Sequence, residues 1–415
     1  MRKLYVEDLQ PGMVLGKTVY NERGDVLLAK GITLTPRYIT ALRSQGFYAV
    51  FVMNGIADDV EPPDLLSTRV RMATYKHVRE LCALARRAIP APGRESGSTT
   101  AAILASSVVP NLAQLYRDVE RIIDEAMTAQ TLSGIATLKS HDSYSFEHSV
   151  EVAVVGVMLG LRLRLDREEL RQLALGCLCH DMGKLVVPPE ILNKPGAFTP
   201  EEFDLVRRHP LAGYEIVRQM TGEGEILARH LVWQHHERQD GTGYPRGLRG
   251  INEFGYARQE YFGQGLILPA AEIAAVAEVY SALASDMPYR RAIRPDEIVR
   301  SLRLMAGSHL NREIVKRFLS MLPAYPVGTE VVVINGRLDG YRGVVTAVNA
   351  ACVHRPVVRI LFDSQGERVD EFEVDTAEER DIDIAVHSYA DWGTRRSAHP
   401  EQAFGVAGAP TTAEA

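Results

Sequence analysis

Residues 170–184 read Leu-Arg-Gln-Leu-Ala-Leu-Gly-Cys-Leu-Cys-His-Asp-Met-Gly-Lys, an apolar stretch that ends in an imidazole, a carboxylate, a glycine and an ammonium group. The pattern predicts a buried helix over 170–179, with His180 and Asp181 at its end and Met182-Gly183-Lys184 beyond it. Cys177 and Cys179 read as small apolar packing on that helix. Working outward, helical periodicity dominates from 99 to 321, with segments near 111–128, 145–162, 167–180, 200–219, 224–234, 270–285, 295–306 and 311–321. These predict one all-α block.

The pattern changes on either side. Residues 1–60 carry short β-branched stretches between turn signals and a helical segment at 36–45 closed by Gly46, which predicts a small α+β module. Glu61-Pro62-Pro63 opens a helical segment over 61–139, interrupted by a Pro, Gly and Ser-rich flexible loop near 90–98. After Pro323 and Pro326 the period falls to two at 330–334, 343–348 and 357–362, with turn chemistry in Asn335-Gly336 and Asp339-Gly340. A small β-barrel-like module over 325–385 is expected. The tail 394–415 has almost no large apolar residues and reads as disordered.

Composition narrows the function. A chain of 415 residues suggests two to three domains, and 46% apolar with 24% charged residues fits a globular protein rather than a disordered or fibrous one. Forty-seven Lys and Arg against 53 Asp and Glu leave a net charge of -6, which argues against a nucleic-acid polymer as partner, because that grip needs surplus cations. Four scattered cysteines fit a reducing compartment. No secretory signal stands at the N-terminus, and the apolar run 152–161 is far short of the roughly 18 residues of a membrane helix. A cytoplasmic protein without a membrane span is expected.

Histidine carries the chemistry. Six of the 12 histidines lie between His148 and His236, inside the helical block. Singly, His148 or His209 is more often a surface or hydrogen-bonded residue than a ligand. Five imidazoles (His148, His180, His209, His235, His236) and Asp181 on four helices of one bundle are different, since inward positions of a bundle collect metal ligands. Imidazole and carboxylate suit Mn, Fe or Zn, and the lack of a thiolate cluster argues against iron–sulfur or structural zinc. A carboxylate such as Asp181 can bridge two cations, and two metals roughly 3.5–4 Å apart suit phosphodiester hydrolysis. Lys184 reads equally as a phosphate-neutralising charge or a solvated helix-end lysine. The tight loop Glu237-Arg238-Gln239-Asp240-Gly241-Thr242-Gly243-Tyr244-Pro245 either carries Tyr244 over a metal pocket, to stack on a base, or only ends a helix.

Several motifs in order extend this reading: His180-Asp181-Met182-Gly183-Lys184, Pro188-x-x-Ile191-Leu192-Asn193-Lys194-Pro195-Gly196, His209-Pro210-x-x-Gly213, and His235-His236-Glu237-Arg238-x-Asp240-Gly241-x-Gly243-Tyr244-Pro245. Over 140–322 the chain resembles the HD-GYP domain, a subgroup of the HD metal-dependent phosphohydrolases associated with cyclic di-GMP hydrolysis, and 142–148 resembles its first ligand helix. The resemblance implies an HD-type bundle with accessory modules on both sides. It implies two divalent metals, Fe or Mn, held by His148, His180, Asp181, His209, His235 and His236, with Asp181 bridging and catalytic together with Lys184. It also places Lys184 and Tyr244 near the substrate. Tyr144 stands where some members carry a third-metal glutamate, so two metals are expected.

Downstream the chain departs from the family's Asp-x-x-Asp-Ala-Leu-x-Ser-Asp-Arg-Pro-Tyr-Arg, reading Glu278-Val279-Tyr280-Ser281-Ala282-Leu283-Ala284-Ser285-Asp286-Met287-Pro288-Tyr289-Arg290. Glu278 takes the place of the last metal-binding aspartate and keeps a carboxylate. Met287 replaces an arginine, a loss of about 1.5–3 kcal/mol unless Arg290, Arg291 or Lys184 compensates. An insertion over 254–267, rich in Tyr, Gly and Gln, can lid the pocket. The first expectation is a two-metal phosphodiesterase that opens cyclic di-GMP, with either the linear dinucleotide or GMP as the final product. The alternatives are a weak or inactive signalling module that binds nucleotide or a diguanylate cyclase, and a phosphohydrolase for another nucleotide.

Overall fold

The computed structural model describes residues 1–21, 25–53, 55–88, 98–129, 132, 144–194, 196–221, 224–254, 265–285 and 292–387. At the N-terminal end, β1 (Arg2–Tyr5) pairs antiparallel with β4 (Ala49–Val52), and β2 (Val19–Tyr20) pairs with β3 (Val26–Leu28). Helix α1 (Pro36–Ser44) starts where the Thr35 hydroxyl accepts from the Tyr38 amide and where Pro36 needs no donor. Val6, Leu15, Leu34, Leu42 and Val50 fill the space between these elements.

The middle of the chain is helical: α2 (Thr68–Ala88), α3 (Ser98–Ala126), α4 (Tyr144–Arg162), α5 (Arg167–Cys179), α6 (Pro189–Leu192), α7 (Pro200–Val206), α8 (His209–Thr221), α9 (Ile226–Gln234), α10 (Pro269–Ala284), α11 (Pro295–Met305) and α12 (Arg312–Leu319). One apolar cluster runs through it from Leu66 to Leu322. Helix α5 is its axis. An Asp166–Glu169 capping box fixes its start, its last seven residues are all buried, and α4 and α9 lie against it. The helix therefore delivers its C-terminal end, His180 and Asp181, into the interior.

The segment expected as one helix over 200–219 is two. Helix α7 ends at Val206 and α8 restarts at His209, because Pro210 has no amide proton to give a continuous helix and fits only a first turn. The break turns His209 into the core, where it is fully buried.

Beyond the helices, β5 (Glu330–Val333), β6 (Arg342–Ala347), β7 (Val357–Phe362), β8 (Arg368–Asp375) and β9 (Ile384–Val386) form an antiparallel sheet in the order β8-β7-β6-β5-β9. The sheet is open and not the closed barrel expected from the period-two pattern. The edge strand β8 is largely exposed and carries Asp370, Glu371 and Glu373, charges that keep an edge from pairing, and β9 on the other edge is only three residues long. Ala57 and Val60 pack on Val344 and Leu361 of this sheet. No helix among the described residues is long and apolar enough to cross a membrane.

Candidate metal centre

The ends of α5, α7 and α9 meet the sides of α4 and α10, and the polar residues of the motifs face one another there. Two groups of donors result: His209, His235 and His236, and His148, His180 and Glu278, with the ligating atoms of each group within 4.8 Å of one another. Asp181 lies between them. Its Oδ2 is 3.4 Å from His180 Nε2 and its Oδ1 is 3.6 Å from His209 Nε2, so one carboxylate faces both groups.

Local helix geometry explains how the rings point. The last carbonyls of a helix lack intrahelical partners. Nδ1 of His180 donates to the Cys177 carbonyl (2.7 Å), that of His209 to Val206 (2.7 Å) and that of His235 to Val232 (2.8 Å). Each imidazole thus caps a helix end with Nδ1–H and turns the Nε2 lone pair inward, the tautomer a metal ligand needs. His209 Nε2 and His235 Nε2 stand 3.2 Å apart, two lone pairs facing each other. His180 Nε2 and Asp181 Oδ1 are buried without a hydrogen-bond partner. Orphaned lone pairs in a core are costly, and an imidazole and carboxylate set of this kind fits divalent cations.

Electrostatics keep the set ready. Burial, with neighbouring imidazoles, holds His235 and His236 well below the ordinary histidine range, and burial takes His209 down to about 4. Those three rings are neutral and their lone pairs available. His180 moves the other way because, against burial, Asp181 and Glu278 favour its protonated form. Burial would raise Asp181, but Lys184, His180 and His209 outweigh it and hold the carboxyl well below its usual range. Lys184 Nζ donates to Asp181 Oδ2 at 2.7 Å. Burial, with Asp181 nearby, pushes Glu278 up to about 7. Glu278 Oε1 is 3.9 Å from His236 Nε2, so the longer side chain still reaches the cluster.

Tyr244 closes one side. Its ring stacks on His236 with centroids 4.7 Å apart and meets Phe203 edge-on. Sequence reasoning did not identify what holds this loop. The buried Glu237 carboxylate accepts from the amides of Arg246 (2.7 Å) and Leu248 (2.8 Å). Gln239 donates to buried Glu272, accepts from the Asn252 amide and shares Glu272 with Asn311. Glu237 had a signal, since a carboxylate in a loop of Gly and Pro is the natural acceptor for turn amides. Glu272 and Asn311 had none, being on distant helices.

The glycines of two motifs have one explanation. A Cβ on Gly183 would lie 1.8 Å from the His209 carbonyl oxygen and 2.6 Å from the Gly213 amide, so the 3₁₀ turn Met182–Val186 touches the first turn of α8 backbone to backbone. Cys177 and Cys179 are buried in the core, and burial pushes both thiols up. The structure thus brings together His148, His180, Asp181, Lys184, His209, His235, His236, Tyr244 and Glu278. Arg290 and Met287 lie outside the described residues, as do 255–264 of the insertion.

The HD domain family matches residues 132–253. The chain is 32% identical over 298 residues to a cyclic di-GMP phosphodiesterase of Pseudomonas aeruginosa, covering 66% of each chain. It is 32% identical over 184 residues to a cyclic di-GMP phosphodiesterase response regulator of Xanthomonas campestris, covering 44% of this chain and 45% of that one. Among solved structures, an HDG"Y"P protein from Bdellovibrio bacteriovorus is 17% identical with a TM-score of 0.39, covering 76% of this chain and 97% of that one. The chain spans just under two thirds of the Pseudomonas relative and under half of the Xanthomonas one. A helical bundle that buries a His-Asp doublet among further imidazoles is an HD domain, a class that depends on metal. Within that class, the chain resembles cyclic di-GMP phosphodiesterases by sequence, in line with the HD-GYP resemblance of its motifs.

Proposed function

We propose that this protein is a metal-dependent phosphodiesterase that opens cyclic di-GMP to the linear dinucleotide, with 140–322 as its hydrolytic unit. The observation that carries the proposal is Asp181, one buried carboxylate facing two groups of inward-turned donors. His148, His180 and Glu278 would hold one ion and His209, His235 and His236 the other, with Asp181 shared. The donor set suits Fe or Mn. When bound, such ions supply Lewis-acid polarisation of a phosphoryl group and acidify a water molecule.

The chain's own residues do the rest. Lys184 keeps Asp181 ionised and offers a point charge to a phosphate. Tyr244, braced on His236 and Phe203, presents a ring for a nucleobase to stack on. Glu237 fixes the loop that carries it. In the sequence Arg290 follows Met287 by three and is the nearby cation proposed for the phosphate contact that Met287 cannot make. The messenger class of the substrate puts the activity in the cytoplasm, with diguanylate cyclases among the natural protein partners.

A second substrate has specific support, because a 3'3'-cGAMP-specific phosphodiesterase of Vibrio cholerae is 32% identical over 182 residues, 44% of this chain and 38% of that one. The test is anaerobic purification, metal analysis and incubation with cyclic di-GMP or 3'3'-cGAMP, with and without added Mn or Fe. The expected result is two metals per chain and a linear product from cyclic di-GMP that Asp181→Ala abolishes. A metal-loaded protein that binds the dinucleotide and releases no product overturns the proposal, and turnover of 3'3'-cGAMP alone reassigns the substrate.

A further inference from the structure

His148 is held differently from the histidines around it. His180, His209 and His235 lean on carbonyls three residues back in their own segments. His148 Nδ1 instead lies 3.0 Å from Oγ of Ser281 on α10, and that oxygen lies 2.7 Å from Oε2 of Glu151 on α4. Glu151 follows His148 by three residues, so both sit on one face of α4. Ser281 follows Glu278 by three, so α10 offers its proposed ligand and this hydroxyl on one face as well. Helices α4 and α10 lie against each other and bring the three side chains into a row.

The direction of the hydrogen bonds follows from the groups. A serine hydroxyl has one proton, and a carboxylate oxygen accepts. Ser281 therefore donates to Glu151 and accepts from His148 Nδ1–H. The Nε2 lone pair of His148 is then left for the cluster, the same tautomer the carbonyls impose on the other three rings. The pattern that this stretch resembles, Asp-x-x-Asp-Ala-Leu, carries an aspartate where this chain has Ser281, so α10 offers a hydroxyl here in place of that carboxylate.

We infer that Glu151 and Ser281 are positioning residues which together replace that aspartate, with the negative charge moved to α4 and passed through the serine hydroxyl to fix the tautomer and orientation of His148. The inference rests on the proposed metal centre. It adds that this chain anchors one ligand through a carboxylate on the ligand's own helix. Partners that orient a ligating histidine from behind change metal affinity about 10–100-fold when removed.

The test uses the full chain stripped of metal by a chelator, with Mn²⁺ affinity read by titration calorimetry and folding checked by thermal melting. Ser281→Ala and Glu151→Gln should each weaken one Mn²⁺ site about 10–100-fold. The Ser281→Ala, Glu151→Gln double variant should cost no more than either single one, because the two act as a unit. Moving the charge back, with Ser281→Asp in the Glu151→Gln background, should restore affinity. Affinities within about twofold of the parent for both single variants, or additive losses in the double variant, overturn the inference.

The parent protein gives a reading that needs no variant. Nitrogen-15 NMR of the metal-free parent should show His148 protonated on Nδ1, and a proton on Nε2 instead overturns the relay. If the parent binds no metal at all, the proposed function fails, while this tautomer still decides the relay.

Discussion

The two donor groups are built by different means. In the group of His209, His235 and His236, two rings cap the ends of the helices they follow, and the third is stacked on Tyr244 only eight residues further along. In the group of His148, His180 and Glu278, only His180 has such a local anchor. His148 depends on a hydroxyl from α10, and Glu278 on where α10 lies against α4 and α9. Among the described residues, two departures from the pattern that the sequence resembles, Glu278 and the Ser281 that holds His148, belong to this second group. A ligand fixed by its own backbone leaves little room for substitution. One fixed between helices can be rebuilt from other side chains.

The strongest way to break the contrast is to remove what the groups share. Asp181→Ala should lower turnover about 10³-fold or more, beyond the 10–100-fold expected of a residue that only orients a ligand, and should deplete both metals. Activity and metal content of the purified variant check this. Loss of one metal with the other retained would assign Asp181 to a single group.

A carboxyl outside both groups sharpens the contrast through pH. Burial raises Glu272 from 4.5 to about 7 even though Gln239 and Asn311 donate to it. Between those values the folded protein holds a proton that the unfolded chain has released. Stability therefore falls as pH rises through the window, by about 3 kcal/mol in all, and the loss is complete above it. Urea unfolding of the parent and of Glu272→Gln at pH 4.5 to 7.5 should show their difference changing by that amount, with contributions from the metal centre cancelling. A constant difference would mean that Glu272 ionises as freely in the fold as in the unfolded chain.

The backbone contact behind the first group can be tested directly. Gly183→Ala puts a methyl group into the His209 carbonyl and the Gly213 amide, so the 3₁₀ turn and α8 must separate. A cost of about 2 kcal/mol is expected, read as a fall in melting temperature of several degrees. Unchanged melting would show that the contact is slack.

How much of this was legible in the sequence follows the same division. The apolar ladder ending in His180-Asp181 announced both the buried helix and its polar end, and the segment 224–234 followed by His235-His236 announced theirs, because residues within a few positions of a helix terminus decide those geometries. The reading failed where a distant element decides. The helix expected over 200–219 was divided by Pro210, which lies inside the apolar period without disturbing it. The expected barrel stayed open because closure requires its two edge strands to meet, and alternation within a strand says nothing of that. Ser281, Glu151 and Glu272 matter through contacts across 30 or more positions, which no local spacing encodes.

The smallest effect tests whether the second group has been rebuilt around its longer carboxylate. If α10 only tolerates Glu278, then Glu278→Asp, the residue of the family pattern, should bind Mn²⁺ as well as the parent or better. If α10 is set for glutamate, removing one methylene draws the carboxylate back by about 1.5 Å from the imidazoles it now faces. The position of α10 is fixed by its nearly continuous apolar burial and by the Ser281 contact to His148, neither of which the substitution changes. The helix therefore has no reason to follow the shortened side chain. Glu278→Asp should weaken Mn²⁺ binding about tenfold and Glu278→Ala about a hundredfold, by calorimetry on the metal-stripped protein. An aspartate variant that equals the parent would show that the second group keeps the family's original spacing and that the glutamate is a bystander to it.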